Sequence, residues 1–107
     1  MSIRNRVSLI GRVGADPEII AFPDNNLKAK FSLATTEFYK DSGGIKKEDT
    51  HWHTIIAFGK IANIVAEDVK KGKEIAITGR LTYRKYQDKS GNNKQVTEII
   101  LEEIQLF

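Results

Sequence analysis

Cysteine is absent from this 107-residue chain, which excludes disulfides, thiolate metal sites and cysteine nucleophiles. No serine lies in a G-x-S-x-G motif. The stretch Gly11-Arg12-Val13-Gly14 has neither the length nor the Lys-Ser/Thr ending of a phosphate-binding Walker loop. The chain therefore lacks the motifs of common hydrolases and nucleotidases, and we expect no enzyme activity.

Long apolar runs are also missing. No segment approaches the roughly 20 apolar residues that cross a bilayer. The N-terminal stretch MSIRNRVSLIGRVG contains three arginines and no continuous apolar core, so it does not resemble a secretory signal. We expect a soluble, cytoplasmic protein that folds as a single domain over residues 1–107 with a modest core.

The charge is unevenly distributed. The net charge is +3, but residues 95–107 hold three glutamates and no lysine or arginine, so the preceding 94 residues carry +6. Residues 80–94 are the most cationic part, and a surface of this kind attracts phosphate backbones. A solvated, lysine-rich hairpin would carry the same charge. The cations of this segment are Arg80, Arg84, Lys85, Lys89 and Lys94, set against Asp88.

Most of the chain has the pattern of β-strands. Residues 27–39 alternate between apolar and polar side chains, which is typical of a half-buried antiparallel strand. Gly11 suggests a bulge or bend in the first strand, and Gly79 interrupts the fourth. The predicted strands cover residues 5–13, 27–39, 50–59, 73–86 and 94–107, with a short extended piece at 18–22 and a polar loop at 41–49.

One segment has a helical pattern. Ile61, Ile64, Val65 and Val69 recur at helical spacing, and Gly72 follows as a stop. One short helix cannot cover both faces of a sheet, so we expect the sheet to curl on itself. Five strands with one α-helix between strands 3 and 4 is the order of the all-β OB-fold, a five-stranded Greek-key barrel. An open β-sandwich with one decorating helix is the alternative.

The stretch THWHTIIAFGK, residues 50–60, combines the only tryptophan with two histidines. In a strand, Trp52 and Phe58 share one face, where flat rings can stack nucleobases. The alternative is that the rings fill the barrel, which the pattern favours for Phe58. A buried Trp52 would need a partner for its indole N–H. His51 and His53 have a spacing that can chelate, but zinc needs three or four ligands and no further ligand motif is present. We expect no metal and no cofactor.

Aromatic residues stand beside cations at two other places. Phe38-Tyr39-Lys40 ends the second predicted strand, and Tyr83-Arg84-Lys85-Tyr86 ends the fourth. In the second run, Tyr83 and Lys85 share one face of the strand, while Arg84 and Tyr86 share the other. A ring beside a guanidinium suits a stacked base with its phosphate alongside. Two tyrosines on an ordinary hairpin are the alternative interpretation.

Four stretches together resemble the bacterial-type single-stranded DNA-binding proteins (the SSB family). They are LIGRVGADPEI, FSLATTEFY, the long run from WHTIIAFGK to YRKYQDKSG, and the closing TEIILEEIQLF. The likeness covers about residues 3–107, including the order and spacing of the blocks. It implies an OB-fold that assembles as a homotetramer built from dimers and binds single-stranded DNA without sequence preference during replication, recombination and repair.

The resemblance also implies roles for individual residues. Base-stacking positions fall on Tyr39, Trp52, Phe58 and Tyr86, two of which are tyrosines where many members have tryptophan. His53 matches a position that the family uses at a subunit contact. The positions that contact phosphates in the family match Arg6, Lys60, Lys71, Arg84 and Lys85.

The family's flexible linker and acidic C-terminal tip, which recruit replication and repair enzymes, have no counterpart before Phe107. We therefore expect either a tail-less relative, of the kind encoded by a phage or mobile element, or a core fragment. The sequence therefore does not predict recruitment of such enzymes through a tail. Two other functions are weighed against DNA coating: a primosome-like OB module that binds proteins, and an OB-fold nuclease, for which no acidic metal cluster is recognisable.

Overall fold

Long β-strands dominate the computed structural model, which describes residues 3–107. Four of the six strands in this range have 13 or 14 residues, compared with a usual length of about five or six. No helix in the same range is long and apolar enough to span a membrane. The elements are β1 (Val7–Val13), β2 (Glu18–Ala21), β3 (Leu27–Lys40), β4 (Lys46–Phe58), α1 (Lys60–Asp68), β5 (Glu74–Gln87) and β6 (Asn93–Leu106).

Five of these strands close into a barrel. Hydrogen-bonded neighbours follow the order β1-β5-β6-β4-β3, and pairing between β1 and β3 completes the ring. All pairs are antiparallel except β4 and β6, which run parallel. The short β2 pairs with β3 beside the barrel. The prediction of an OB-fold is confirmed, and the alternative of an open β-sandwich is wrong.

The helix lies between the third and fourth strands of the barrel, as predicted. The extended piece predicted at residues 18–22 corresponds to strand β2 (Glu18–Ala21). Because β2 counts as a strand, α1 follows the fourth strand in chain order. The helix ends at Asp68 and does not continue to Gly72. Val69 is extended (φ −89°, ψ 120°) and its side chain is fully buried. Ile64, predicted on the apolar face, is 41% exposed.

The barrel interior holds the core. Alternate residues of the strands point inward, and Leu33, Ile55 and Ile75 are fully buried there. Val65 of α1 joins the same cluster, and burial of each such side chain contributes about 1.5–3 kcal/mol. We call the side of the sheet that lines the barrel the inner face, and the opposite side the outer face. Residues directly opposite each other on paired strands form a rung and share a face.

Two hairpins extend beyond the barrel. β3 and β4 pair over thirteen consecutive rungs, whereas β4 meets β6 only at Ile55 and Ile56. Beyond these residues the hairpins separate into a β3–β4 arm (residues 35–53) and a β5–β6 arm (residues 81–98). The radius of gyration is 15.9 Å, compared with roughly 13 Å for a compact domain of 100 residues. The larger value is expected because the two arms project from the barrel.

The same type of turn closes both arms. Oδ1 of Asp41 accepts hydrogen bonds from the backbone N–H groups two and four residues further on, each at 2.9 Å. Asp88 does the same at the other tip, with the same distances. Gly44 and Gly91 have positive φ angles of 79° and 83° at equivalent positions, where glycine is favoured. These turns fix the register of each hairpin.

Two glycines allow close approach of neighbouring strands. Gly11 lies in a regular ladder with β5, which excludes a bulge, one of the two predicted alternatives. A Cβ atom there would collide with the backbone carbonyl of Ala34. Gly79 lies beside a shift in the register of β5 and β6. The extra residue of this shift is on β6 and β5 continues through Gly79, so the predicted interruption of the strand is wrong.

Candidate nucleic-acid interface

Trp52 lies on the outer face of β4 with its ring open to solvent. The residue is 63% exposed. Its cross-strand partner is Ala34, which is too small to cover the ring. The six-membered edge of the indole packs on Gly14, where an added Cβ would lie 2.9 Å from Cη2. A ring that is supported from below and uncovered above can stack a nucleobase.

Phe58 ends β4 on the same face, six residues beyond Trp52 or about 20 Å along the strand. It is 48% exposed, so the interpretation that it fills the barrel is wrong. Two cations lie beside it, because Lys28 is its cross-strand partner and Lys60 begins α1 two residues later. A stacked base at this ring would have cations available for the adjacent phosphates.

Tyr86 lies on the outer face of the β5–β6 arm, together with Arg84. The Arg84 guanidinium lies 5.7 Å from the centre of the Tyr86 ring. Its Nε also lies 3.4 Å from Oε1 of Glu98, which is the one buried charged residue of the described chain. Arg84 therefore has two structural roles, holding the tyrosine ring and compensating a buried carboxylate. Its side chain is still 56% exposed and accessible to a phosphate.

Tyr39 does not share a face with Trp52. Its rung partner is Lys47, whereas Trp52 is paired with Ala34. Since the side-chain period in a strand is two, the uninterrupted register places Tyr39 on the inner face of the β3–β4 arm. The tyrosine is 52% exposed. A DNA strand that contacted both rings would have to pass round the edge or tip of the arm.

The remaining predicted cations are exposed and lie on separate segments. Arg6 follows Asn5, whose side-chain amide makes two hydrogen bonds to the backbone of Leu81. Oδ1 of Asn5 accepts from the Leu81 N–H at 2.8 Å, and Nδ2 donates to the Leu81 carbonyl at 2.9 Å. Lys71 lies on the segment after α1, where its N–H donates to Oδ1 of Asp16. That segment hydrogen-bonds to the backbone of Val13 through Gly72 and Lys73. Val13 precedes Gly14, on which the ring of Trp52 packs. Lys85 projects from the inner face of the β5–β6 arm.

His53 lies at the base of the β3–β4 arm on the inner face. Its Nε2 and the Oγ1 of Thr35 lie 2.9 Å apart and share a hydrogen bond. Partial burial lowers the pKa of His53 below its usual value, and the positive charge of His51 lowers this pKa further. Both effects favour the neutral form of the His53 ring. His51 pairs instead with Asp49, at 3.1 Å. The contact predicted for His53 with another subunit stays a prediction.

A small groove lies where the two arms separate. It has a volume of about 150 Å³ and lies between residues 52–54 of β4 and the base of the β5–β6 arm. Within residues 3–107, no group of three or more His, Asp or Glu side chains is placed to hold a metal ion. The groove is lined by Trp52, His53, Thr54, Leu81, Thr97 and Ile99.

Comparison with known families gives a match over almost the whole chain. The sequence profile of the Single-strand binding protein family matches residues 4–107. Single-stranded DNA-binding protein 1 of Xylella fastidiosa (strain 9a5c) is 42% identical over 108 residues, covering 100% of this chain and 79% of that protein. Single-stranded DNA-binding protein 1 of Chlorobaculum tepidum is 43% identical over 104 residues, covering 96% of this chain and 64% of that protein.

A solved structure shows the same architecture. The Plasmodium falciparum SSB complex with ssDNA superimposes with a TM-score of 0.88 at 34% sequence identity. The superposition covers 100% of this chain and 96% of the solved chain. The barrel, the helix and the overall course of the chain are therefore common to both.

Proposed function

The chain belongs to the single-strand binding protein family, and we propose that it coats single-stranded DNA without sequence preference during replication, recombination and repair. The observation that carries this proposal is the indole of Trp52, which is supported by Gly14 and left 63% exposed. The solved structural neighbour is itself a complex with ssDNA, which supports the same use of the fold.

The binding mechanism combines stacking and charge. Each base stacked on an aromatic ring contributes about 1–3 kcal/mol, and stacking tolerates any base because each has a π-face. Trp52, Phe58 and Tyr86 offer such rings on the outer face, and Tyr39 offers one on the inner face. Lysines and arginines along the path release counterions from phosphates, so affinity falls as salt rises.

We propose that binding is the whole activity of the chain, in the cytoplasm, and that copies assemble as a homotetramer built from dimers. The exposure of Ile10 supports assembly: its apolar side chain is 63% exposed on the outer face of β1, where another copy could cover it. His53, at the base of the β3–β4 arm, is proposed to contact a neighbouring subunit. Linked binding surfaces would let one DNA strand engage several copies with greater avidity.

The test of this function measures the mass of the protein in solution with and without oligo(dT), together with tryptophan fluorescence. Trp52 is the only tryptophan, so its emission reports one site. We expect a mass of four chains, one complex of defined stoichiometry, and quenched emission on DNA addition. Binding to a protein partner without binding to oligo(dT) would favour the protein-interaction module, and cleavage of the strand with Mg²⁺ would favour a nuclease.

Lys85→Ala is expected to reduce the salt dependence of oligo(dT) binding. Lys85 is exposed and forms no ion pair within the part of the chain described. Removing one phosphate contact should lower the slope of log K against log[salt] by about 0.7–1. The measurement is a series of titrations between about 50 and 200 mM salt.

Lys73→Ala is the matched control, because the Lys73 ammonium donates to the carbonyl of Asp68 at 3.2 Å and is not a predicted phosphate contact. The control should keep the original slope. An unchanged slope in Lys85→Ala would remove Lys85 from the phosphate path.

A further inference from the structure

The outer face of β3 and β4 is cationic, and all of its side chains except the buried Ile56 are partly or fully exposed. Seven rungs contribute its side chains, and these include four lysines against one acid, Glu48. None of the four lysines forms an ion pair within residues 3–107. We call this surface the outer track. Its rungs are Lys28–Phe58, Lys30–Ile56, Ser32–Thr54, Ala34–Trp52, Thr36–Thr50, Phe38–Glu48 and Lys40–Lys46.

The inner face of the same two strands has the opposite charge where it leaves the barrel. Glu37 and Asp49 form one rung there, beside the rung of Tyr39 and Lys47. The charge of Lys47 is itself paired, since its Nζ lies 4.0 Å from Oδ2 of Asp41. A polyanion that reaches Trp52 is therefore attracted along the outer track and repelled by the acidic rung of the inner face.

Phe38 is the large aromatic residue of the outer track nearest the tip. It is 78% exposed, so burial in the core does not explain the ring. The rung of Phe38 lies four residues along β4 from Trp52, or about 13 Å. The rung between them pairs Thr36 and Thr50, whose hydroxyl oxygens lie 3.2 Å apart. Both threonines are short and exposed, so this rung places no bulky side chain between the two rings.

Beyond Phe38, the arm ends in a rung of two lysines. Lys40 and Lys46 line an open recess of about 440 Å³ together with Phe38 and Tyr39. The recess joins an exposed ring to two unpaired ammonium groups, which is the combination that a nucleotide requires for its base and its phosphate.

We propose that Phe38 is a base-stacking residue that carries the path of single-stranded DNA from Trp52 along the outer track to the tip of the β3–β4 arm, where Lys40 and Lys46 contact the phosphates. The inference rests on the proposed function and adds a site to it. It also separates the two neighbouring aromatics, since Phe38 serves the outer track and Tyr39 lies on the acid-bearing inner face.

The direct test moves the fluorescent reporter to this position. In a Phe38→Trp, Trp52→Phe double variant, the tryptophan at residue 38 is the only one, and we expect oligo(dT) to quench its emission. Binding is followed independently by the anisotropy of labelled oligo(dT). Unchanged emission on a protein that binds the labelled strand would overturn the inference.

The second arm compares Phe38→Ala with Ile45→Ala, which removes an apolar side chain 62% exposed in the turn of the same arm. Phe38→Ala should weaken binding by about fivefold or more, the lower end of the effect of one stacked base, and Ile45→Ala should not. Equal affinity of the two variants would contradict the proposal. A smaller mass of DNA-free Phe38→Ala would assign the ring to a contact between copies and would also contradict it.

The unmodified protein is titrated first, which separates the two levels of the argument. Failure of the unmodified protein to bind oligo(dT) removes the proposed function and this inference together. If the unmodified protein binds oligo(dT) and its Trp52 emission is quenched, but the variants at residue 38 show no effect, only the inference about Phe38 is removed.

Discussion

Trp52→Ala is expected to weaken binding to oligo(dT) by about 1–3 kcal/mol, or about 5- to 140-fold. The ring is 63% exposed and rests on Gly14, so the substitution removes a stacking surface and little of the core. The hydrophobic cluster inside the barrel does not include Trp52. The loss should therefore appear in affinity and only weakly in the stability of the fold.

The affinity is measured by the anisotropy of labelled oligo(dT), because the variant has no tryptophan to report binding. Trp52→Phe is the matched control, since it keeps a ring of smaller area at the same place and should lose less affinity. Thermal unfolding of each variant reports the fold. A large drop in the unfolding temperature with unchanged affinity of the folded protein would show that the indole serves packing and not DNA.

The barrel was predictable because its strands have one buried and one exposed face. Residues 27–33 alternate cleanly, and in the structure Ala29, Phe31 and Leu33 are buried while the residues between them are more exposed. Such a pattern sets both the element and its orientation. Together with the position of α1, it leads to the OB-fold from the sequence alone.

The arms were less predictable because the core does not reach them. Residues 46–49 are all charged, and both of their faces are exposed, so no apolar alternation marks them as a strand. What extends β4 is the turn at Asp41, which aligns Lys40 with Lys46 and continues the ladder. Hydrogen bonds of a turn leave a weaker signal in the sequence than hydrophobic periodicity does.

The relative faces of the predicted stacking residues depend on the same turn. Within β4 alone, the sequence correctly places Trp52 and Phe58 on one side. The side of Tyr39 follows only from the pairing of β3 with β4, and a shift of one residue in that pairing would move the ring to the other face. The outer track escaped prediction for this reason, since its seven rungs are a property of two strands and not of either one.

Gly79→Ala is expected to destabilise the fold by about 1–3 kcal/mol, the usual cost of an overpacked interior. Gly79 is buried beside the register shift between β5 and β6. An added Cβ would collide with the carbonyl oxygen of Ile100 and would lie 2.9 Å from Cγ2 of Ile99. The carbonyl belongs to the partner strand and cannot move away without disturbing the ladder, and Ile99 is only 3% exposed.

For a domain of this size, 1 kcal/mol corresponds to about 4–8 °C in the unfolding temperature, so Gly79→Ala should unfold at least about 4 °C below the unmodified protein. Scans are compared at one protein concentration, because assembly makes the unfolding temperature depend on concentration. Gly43→Ala is the matched control: a Cβ there meets only Oδ1 of Asp41, at 3.4 Å, and the effect should stay within about 0.5 kcal/mol. Equal unfolding temperatures for the two variants would mean that the β5–β6 ladder relaxes around the added methyl group and that the close approach at Gly79 is not what selects glycine.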